Sequence, residues 1–64
     1  MTKAELRELR ADLGLSQPEM AKELYTSIWT LRAWEQPANI RTIPKAVVNS
    51  TLFRDLQKRA ESKR

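Results

Sequence analysis

Two Thr/Ser-x-x-Glu spacings, Thr2 to Glu5 and Ser16 to Glu19, flank Gly14, the only glycine in the chain. Each spacing is a capping box: the hydroxyl accepts the backbone N–H three residues on, and the glutamate reaches back to the N–H of the cap. Two helix starts are therefore fixed, with a residue between them that can take the left-handed geometry that ends a helix. The first helix is predicted from Thr2 to about Asp12, with Leu6, Leu9 and Leu13 as its apolar stripe. The second runs from about Gln17 to Leu24, turning Met20, Ala21 and Leu24 inward, with Pro18 in the first turn, where its missing N–H costs nothing. Thr26 and Ser27 follow almost at once as helix-start residues, and so tight a connection throws the next helix steeply across the second, as in a helix-turn-helix. That third helix spans about Ile28 to Gln36 and is stopped by Pro37. Beyond the loop "PANIRTI", Pro44 opens a last helix over about 44–61, where Val48, Leu52 and Leu56 recur every fourth residue and Val47 and Phe53 widen the stripe. No alternating stretch is long enough to argue for a strand. The expectation is one all-α domain over 1–64, four to five helices, with the helix-turn-helix at about 17–36.

A chain of 64 residues buries only about 60% of the surface its unfolded form exposes, which allows one small core and no deep pocket besides. There is no cysteine and no histidine. Disulfides, thiolate or imidazole metal sites, thiol nucleophiles and the commonest general base are all removed. The acidic side chains are scattered on helix surfaces or tied into caps, so neither an enzyme nor a metal or cofactor site is expected. The longest apolar run falls short of a membrane span, and "MTKAELRELR" has no apolar segment of the signal-peptide kind. A cytoplasmic location follows as an expectation, with no membrane partner.

The net charge of +4 is unevenly spread. Residues 1–40 hold five basic side chains against six acidic, whereas residues 41–64 hold seven basic against two acidic, Asp55 and Glu61. A basic C-terminal third suits a polyanionic partner, an anionic membrane surface, or merely a solvated tail.

The stretch 25–36, "YTSIWTLRAWEQ", carries both tryptophans of the chain. At about 100° per residue, Ile28, Leu31, Trp34 and Glu35 share one sector of the helix, and Trp29, Arg32, Ala33 and Gln36 fall in another. Trp34 is therefore expected inside and Trp29 outside. Leaving an indole in water forgoes roughly 2 kcal/mol of burial, so an outward tryptophan usually marks a contact surface. The outer face of Ile28, Trp29, Arg32, Ala33 and Gln36 could offer apolar surface to thymine methyls and a fork of donors to guanine or phosphate. It lacks the broad apolar face bordered by lysines that a membrane-surface helix needs.

These residues carry a resemblance. The run "LRELRADLGLSQPEMAKELYTSIWTLRAWEQ", residues 6–36, resembles the DNA-binding domain shared by phage Cro and repressor proteins, many bacterial xenobiotic-response-type regulators and some antitoxins. It does so through Arg10, the turn Leu13 to Gln17, Ala21, Leu24, Thr26-Ser27, Leu31 and Trp34-Glu35. The resemblance implies a compact lambda-repressor-like fold, with Gln17 on a phosphate and supporting the recognition helix. It places Ser27, Ile28, Trp29, Arg32 and Ala33 toward the major groove and Gln36 and Arg41 toward the backbone. It also implies an ion pair between Arg10 and Glu35, which agrees with the inward setting of Glu35. Two positions depart from the pattern: Tyr25 and Pro37 stand where relatives commonly carry glycine. A non-glycine residue in left-handed geometry costs on the order of 1 kcal/mol, so either the turn is altered or Tyr25 is strained.

The leading expectation is a sequence-specific regulator of transcription, a homodimeric repressor on double-stranded DNA with an inverted-repeat operator, in a bacterial or phage-infected cytoplasm. Direct readout would rest on Arg32 for a guanine and on apolar contacts to thymine methyls, with shape supplying the rest. Phe53 and Leu56 on the last helix are candidate dimer contacts, with closing the monomer core as their alternative role. A second reading keeps the fold but gives Trp29 and Ile28 a protein partner, as in an antitoxin; a third, an amphipathic peptide on a membrane, rests only on the basic tail.

Overall fold

Both capping boxes form. Thr2 Oγ1 accepts from the Glu5 N–H at 3.1 Å and Glu5 returns to the Thr2 N–H at 2.9 Å; Ser16 and Glu19 repeat the exchange at 3.3 and 2.9 Å. The computed structural model describes residues 1–63, and among these are five helices and no strand: α1 Lys3–Leu13, α2 Gln17–Glu23, α3 Ile28–Glu35, α4 Lys45–Val48 and α5 Thr51–Ser62. The domain is all-α. In each box the cap's backbone N–H, then its hydroxyl, holds the carboxyl of Glu5 or Glu19 below its ordinary value of 4.5. Carboxyls depressed in the folded state stabilise it above their unfolded pKa, and that contribution is lost as the pH falls through the folded value. The urea midpoint should therefore drop on acidification below about pH 4.5, and less steeply in the double variant Glu5→Gln/Glu19→Gln.

α1 and α2 end in the same way. The Leu15 N–H donates to the Arg10 carbonyl and the Gly14 N–H to Ala11, with Gly14 at φ 69°. One helix later the Thr26 N–H donates to Ala21 and the Tyr25 N–H to Lys22, with Tyr25 at φ 51°. These are two Schellman endings, the second made without glycine. Of the two alternatives for the turn, the strained one holds: the geometry is kept and Tyr25 bears the left-handed conformation while 88% exposed. Tyr25→Gly should raise stability by about 0.5–1 kcal/mol, seen as a higher urea midpoint at unchanged slope.

One core unites the helices. Leu6, Leu9 and Leu13 of α1 meet Met20, Ala21 and Leu24, then Leu31 and Trp34 of α3, and Phe53, Leu56 and Ala60 of α5 close the cluster. Two ties hold α5 in place: Lys63 Nζ donates to the Leu13 carbonyl at the end of α1 at 2.8 Å, and Arg59 pairs with Glu23 at 3.4 Å. Part of the basic C-terminal excess is thus spent within the fold.

The single last helix expected over 44–61 is two helices. Asn49 ends α4, and Ser50 is extended at φ −71°, ψ 152°. Ser50 Oγ donates to the Val47 carbonyl at 2.6 Å and accepts from the Phe53 N–H at 3.2 Å, serving both helix ends with one hydroxyl. The break rotates α5 so that Phe53, Leu56 and Ala60 form its buried row, while Val48 and Leu52 are only half-buried.

Candidate nucleic-acid interface

The outer surface of α3 is set by one pivot, Ser27, whose Oγ accepts the Thr30 N–H at 3.2 Å and so starts the helix. From that start Leu31, Trp34 and Glu35 turn inward and Trp29 turns out. Trp29 is 72% exposed and Trp34 8%, the division that the helical spacing predicts. Ile28 is half-buried, packed on the edge of the core. Arg32 lies on the exposed side with Trp29, its guanidinium carbon 5.3 Å from the centre of the indole, a cation–π arrangement.

Behind this face runs a chain of polar contacts. The carboxylate of Glu35, 2% exposed, receives the Arg10 guanidinium as a fork, Nε at 3.0 Å and Nη2 at 3.2 Å, while Arg10 Nη1 donates to the Leu15 carbonyl at 3.1 Å. Gln17 Nε2 donates to Glu35 Oε1 at 3.3 Å, and Gln17 Oε1 accepts from Arg32 Nε at 3.2 Å. A buried ion pair is thereby linked through a single amide to an exposed guanidinium. No buried side-chain N or O among the described residues lacks a partner, as a low-dielectric site demands.

A second anchor fixes the far end of α3. Lys3 Nζ donates to the carbonyls of Ala33 at 2.8 Å, Trp34 at 3.4 Å and Arg41. An ammonium group on the C-terminal carbonyls of a helix complements both their orphan lone pairs and the negative end of the dipole. Arg41 is held from the other side as well, its N–H donating to Asn39 Oδ1 at 2.8 Å. The backbone of the loop is thus pinned while the Arg41 side chain stays exposed.

Set against the sequence expectations, Trp29 and Arg32 share the outer face of α3, with Gln36 exposed at its end and Ser27 exposed at its start. The Ser27 hydroxyl is engaged within the helix, 2.9 Å from that of Thr30 as well as on the N–H. Three further expectations are decided or refined by the fold. Ala33 is buried rather than groove-facing, at the end of α3 that Lys3 ties to α1 through the Ala33 carbonyl. Gln17 supports α3 as the resemblance implies, its amide donating to Glu35 and accepting from Arg32. Phe53 and Leu56, at 0% and 1% exposure, are core residues and offer no surface to a second copy. Sequence reasoning missed Lys3 and the Gln17–Arg32 contact; nothing in a one-dimensional pattern marks a lysine whose acceptors lie thirty residues on.

No grouping of three or more metal-binding side chains occurs among the described residues, and no helix there is long and apolar enough to cross a membrane. Comparison of the chain with family models, with curated proteins and with solved structures finds no match to any of them.

Proposed function

We propose that the chain binds double-stranded DNA in a sequence-specific way, laying α3 in the major groove, and acts as a regulator of transcription, most simply a repressor. The observation that carries this reading is the pairing of an exposed indole with a guanidinium on the outer face of a helix that follows a four-residue turn. A helix with its side chains is about 10–12 Å across, a fit for a groove about 12 Å wide. Trp29 supplies apolar surface to thymine methyls, Arg32 supplies donors, and Gln36 and Arg41, both exposed, are available to the phosphate backbone. The groove between α1 and α5, lined by Glu5, Glu8, Asp12 and Glu61, is acidic and would repel the duplex, which favours approach by α3.

One module of this size buries too little surface for strong discrimination, so two copies on an inverted repeat belong to the proposal. With Phe53 and Leu56 in the core, the most exposed apolar side chain left for that contact is Ile40, at 96%. The test is a titration of duplexes at several salt concentrations. Affinity should fall steeply with salt, and Trp29→Ala and Arg32→Ala should each weaken binding to the preferred duplex about tenfold or more. Salt-independent or unaltered binding in both variants would move the Trp29 face to a protein partner, the antitoxin-like alternative.

A further inference from the structure

We infer, resting on the DNA-binding reading just proposed, that Lys3 is a positioning residue that fixes where Arg41 meets the phosphate backbone relative to α3. An ammonium group has three N–H donors and no acceptor. Lys3 gives them to three carbonyls, those of Ala33 and Trp34 at the end of α3 and that of Arg41 in the loop beyond it. No donor is left for a phosphate. The lysine instead gathers two segments at one point, so the Arg41 carbonyl lies within about two hydrogen-bond lengths, roughly 6 Å, of the last turn of α3.

The loop is closed from its other sides as well. The Asn39 N–H donates to the Gln36 carbonyl at 3.1 Å, the Arg41 N–H donates to Asn39 Oδ1 at 2.8 Å, and Ile43, 7% exposed, plugs the chain into the core two residues on. Pro37 and Pro44 at its two ends remove further backbone freedom. The N–H and the carbonyl of Arg41 are therefore both held, and only its exposed side chain is left to reach outward. Arg41 is also the one charged residue between Gln36 and Pro44. A loop pinned in this way loses little freedom when its arginine grips a phosphate, whereas a loose loop would have to be ordered at the expense of affinity. Removing the Lys3 ammonium leaves the arginine in the chain and takes away its fixed place.

The test is a double-variant cycle on the full chain and its preferred duplex at several salt concentrations, combining Arg41→Ala with Lys3→Met, which keeps the apolar stem and loses the ammonium. In the unaltered chain Arg41→Ala should weaken binding about tenfold and reduce the salt slope by about one unit, as the loss of one phosphate contact does. In Lys3→Met, checked as helical by circular dichroism, Arg41→Ala should cost only about two- to threefold, and the slope of the double variant should match that of Arg41→Ala alone. Where Lys3→Met does not fold, Asn39→Ala takes its place, since it frees the Arg41 N–H from the other side, and the same shrinking of the Arg41 effect is expected. An Arg41→Ala effect of equal size in every background would overturn the proposal. A double variant that loses two units of slope would put the Lys3 ammonium itself on a phosphate and overturn it too. Binding of the unaltered chain that ignores Arg41→Ala would overturn it while DNA binding stands. A chain that binds no duplex would remove the DNA-binding reading, and the role of Lys3 with it.

Discussion

Phe53→Ala should cost about 3–5 kcal/mol and leave little folded protein at room temperature. The ring is fully buried, in a cluster that joins Leu6 and Leu9 of α1 to Leu56 and Ala60 of α5. Truncation removes the transfer free energy of the aromatic ring and leaves a cavity that a core this small has few side chains to fill. A domain of this length has a total stability of roughly 3–10 kcal/mol, so the loss is comparable to the whole. Phe53→Leu, which keeps most of the volume, should cost much less and remain measurable by urea denaturation. If Phe53 instead lay between copies, Phe53→Ala would weaken association at high concentration and spare the fold of the monomer. Loss of helical signal at every protein concentration is the result expected here.

Arg10→Ala is expected to be nearly as damaging, about 3 kcal/mol. It leaves the carboxylate of Glu35 buried with only the Gln17 amide as a partner, and an uncompensated buried charge is what makes half of such a pair so costly. Removing both partners should be far milder: Arg10→Met/Glu35→Leu exchanges a buried carboxylate and its partly exposed guanidinium for apolar surface and should recover most of the loss. A double variant as unstable as Arg10→Ala alone would mean that the pair contributes through geometry that no apolar substitute supplies.

Much of this architecture is written locally. Thr2, Glu5, Ser16, Glu19, Gly14 and Pro37 act within a few residues of themselves, so α1, α2 and α3 could be placed to within about a residue at each end. The inward Trp34 and outward Trp29 follow from helical spacing alone. The sequence suggests a single last helix because the repeat of Val48, Leu52 and Leu56 is continuous in number, while Ser50, a cap without an acidic residue three positions on, interrupts it in space. Tyr25 takes the conformation that glycine would have taken because the surrounding Schellman bonds and the packing of α2 on α3 outweigh a strain of about 1 kcal/mol. The site was legible in its outline and less so in its wiring. Arg32 and Trp29 are visible as neighbours on a face; that Gln17 joins Arg32 to the Arg10–Glu35 pair, and that Lys3 ties α1 to the end of α3, depends on contacts between distant helices that no local pattern encodes.

Whether α3 reads duplex DNA is decided by mixing the purified chain with random duplexes at about 150 mM salt and sequencing those retained. An inverted repeat that contains a guanine in each half-site should be enriched, and the enrichment should be lost in Arg32→Ala. Retention of duplexes with no enriched sequence, unchanged in Trp29→Ala and Arg32→Ala, would contradict the reading of DNA by α3.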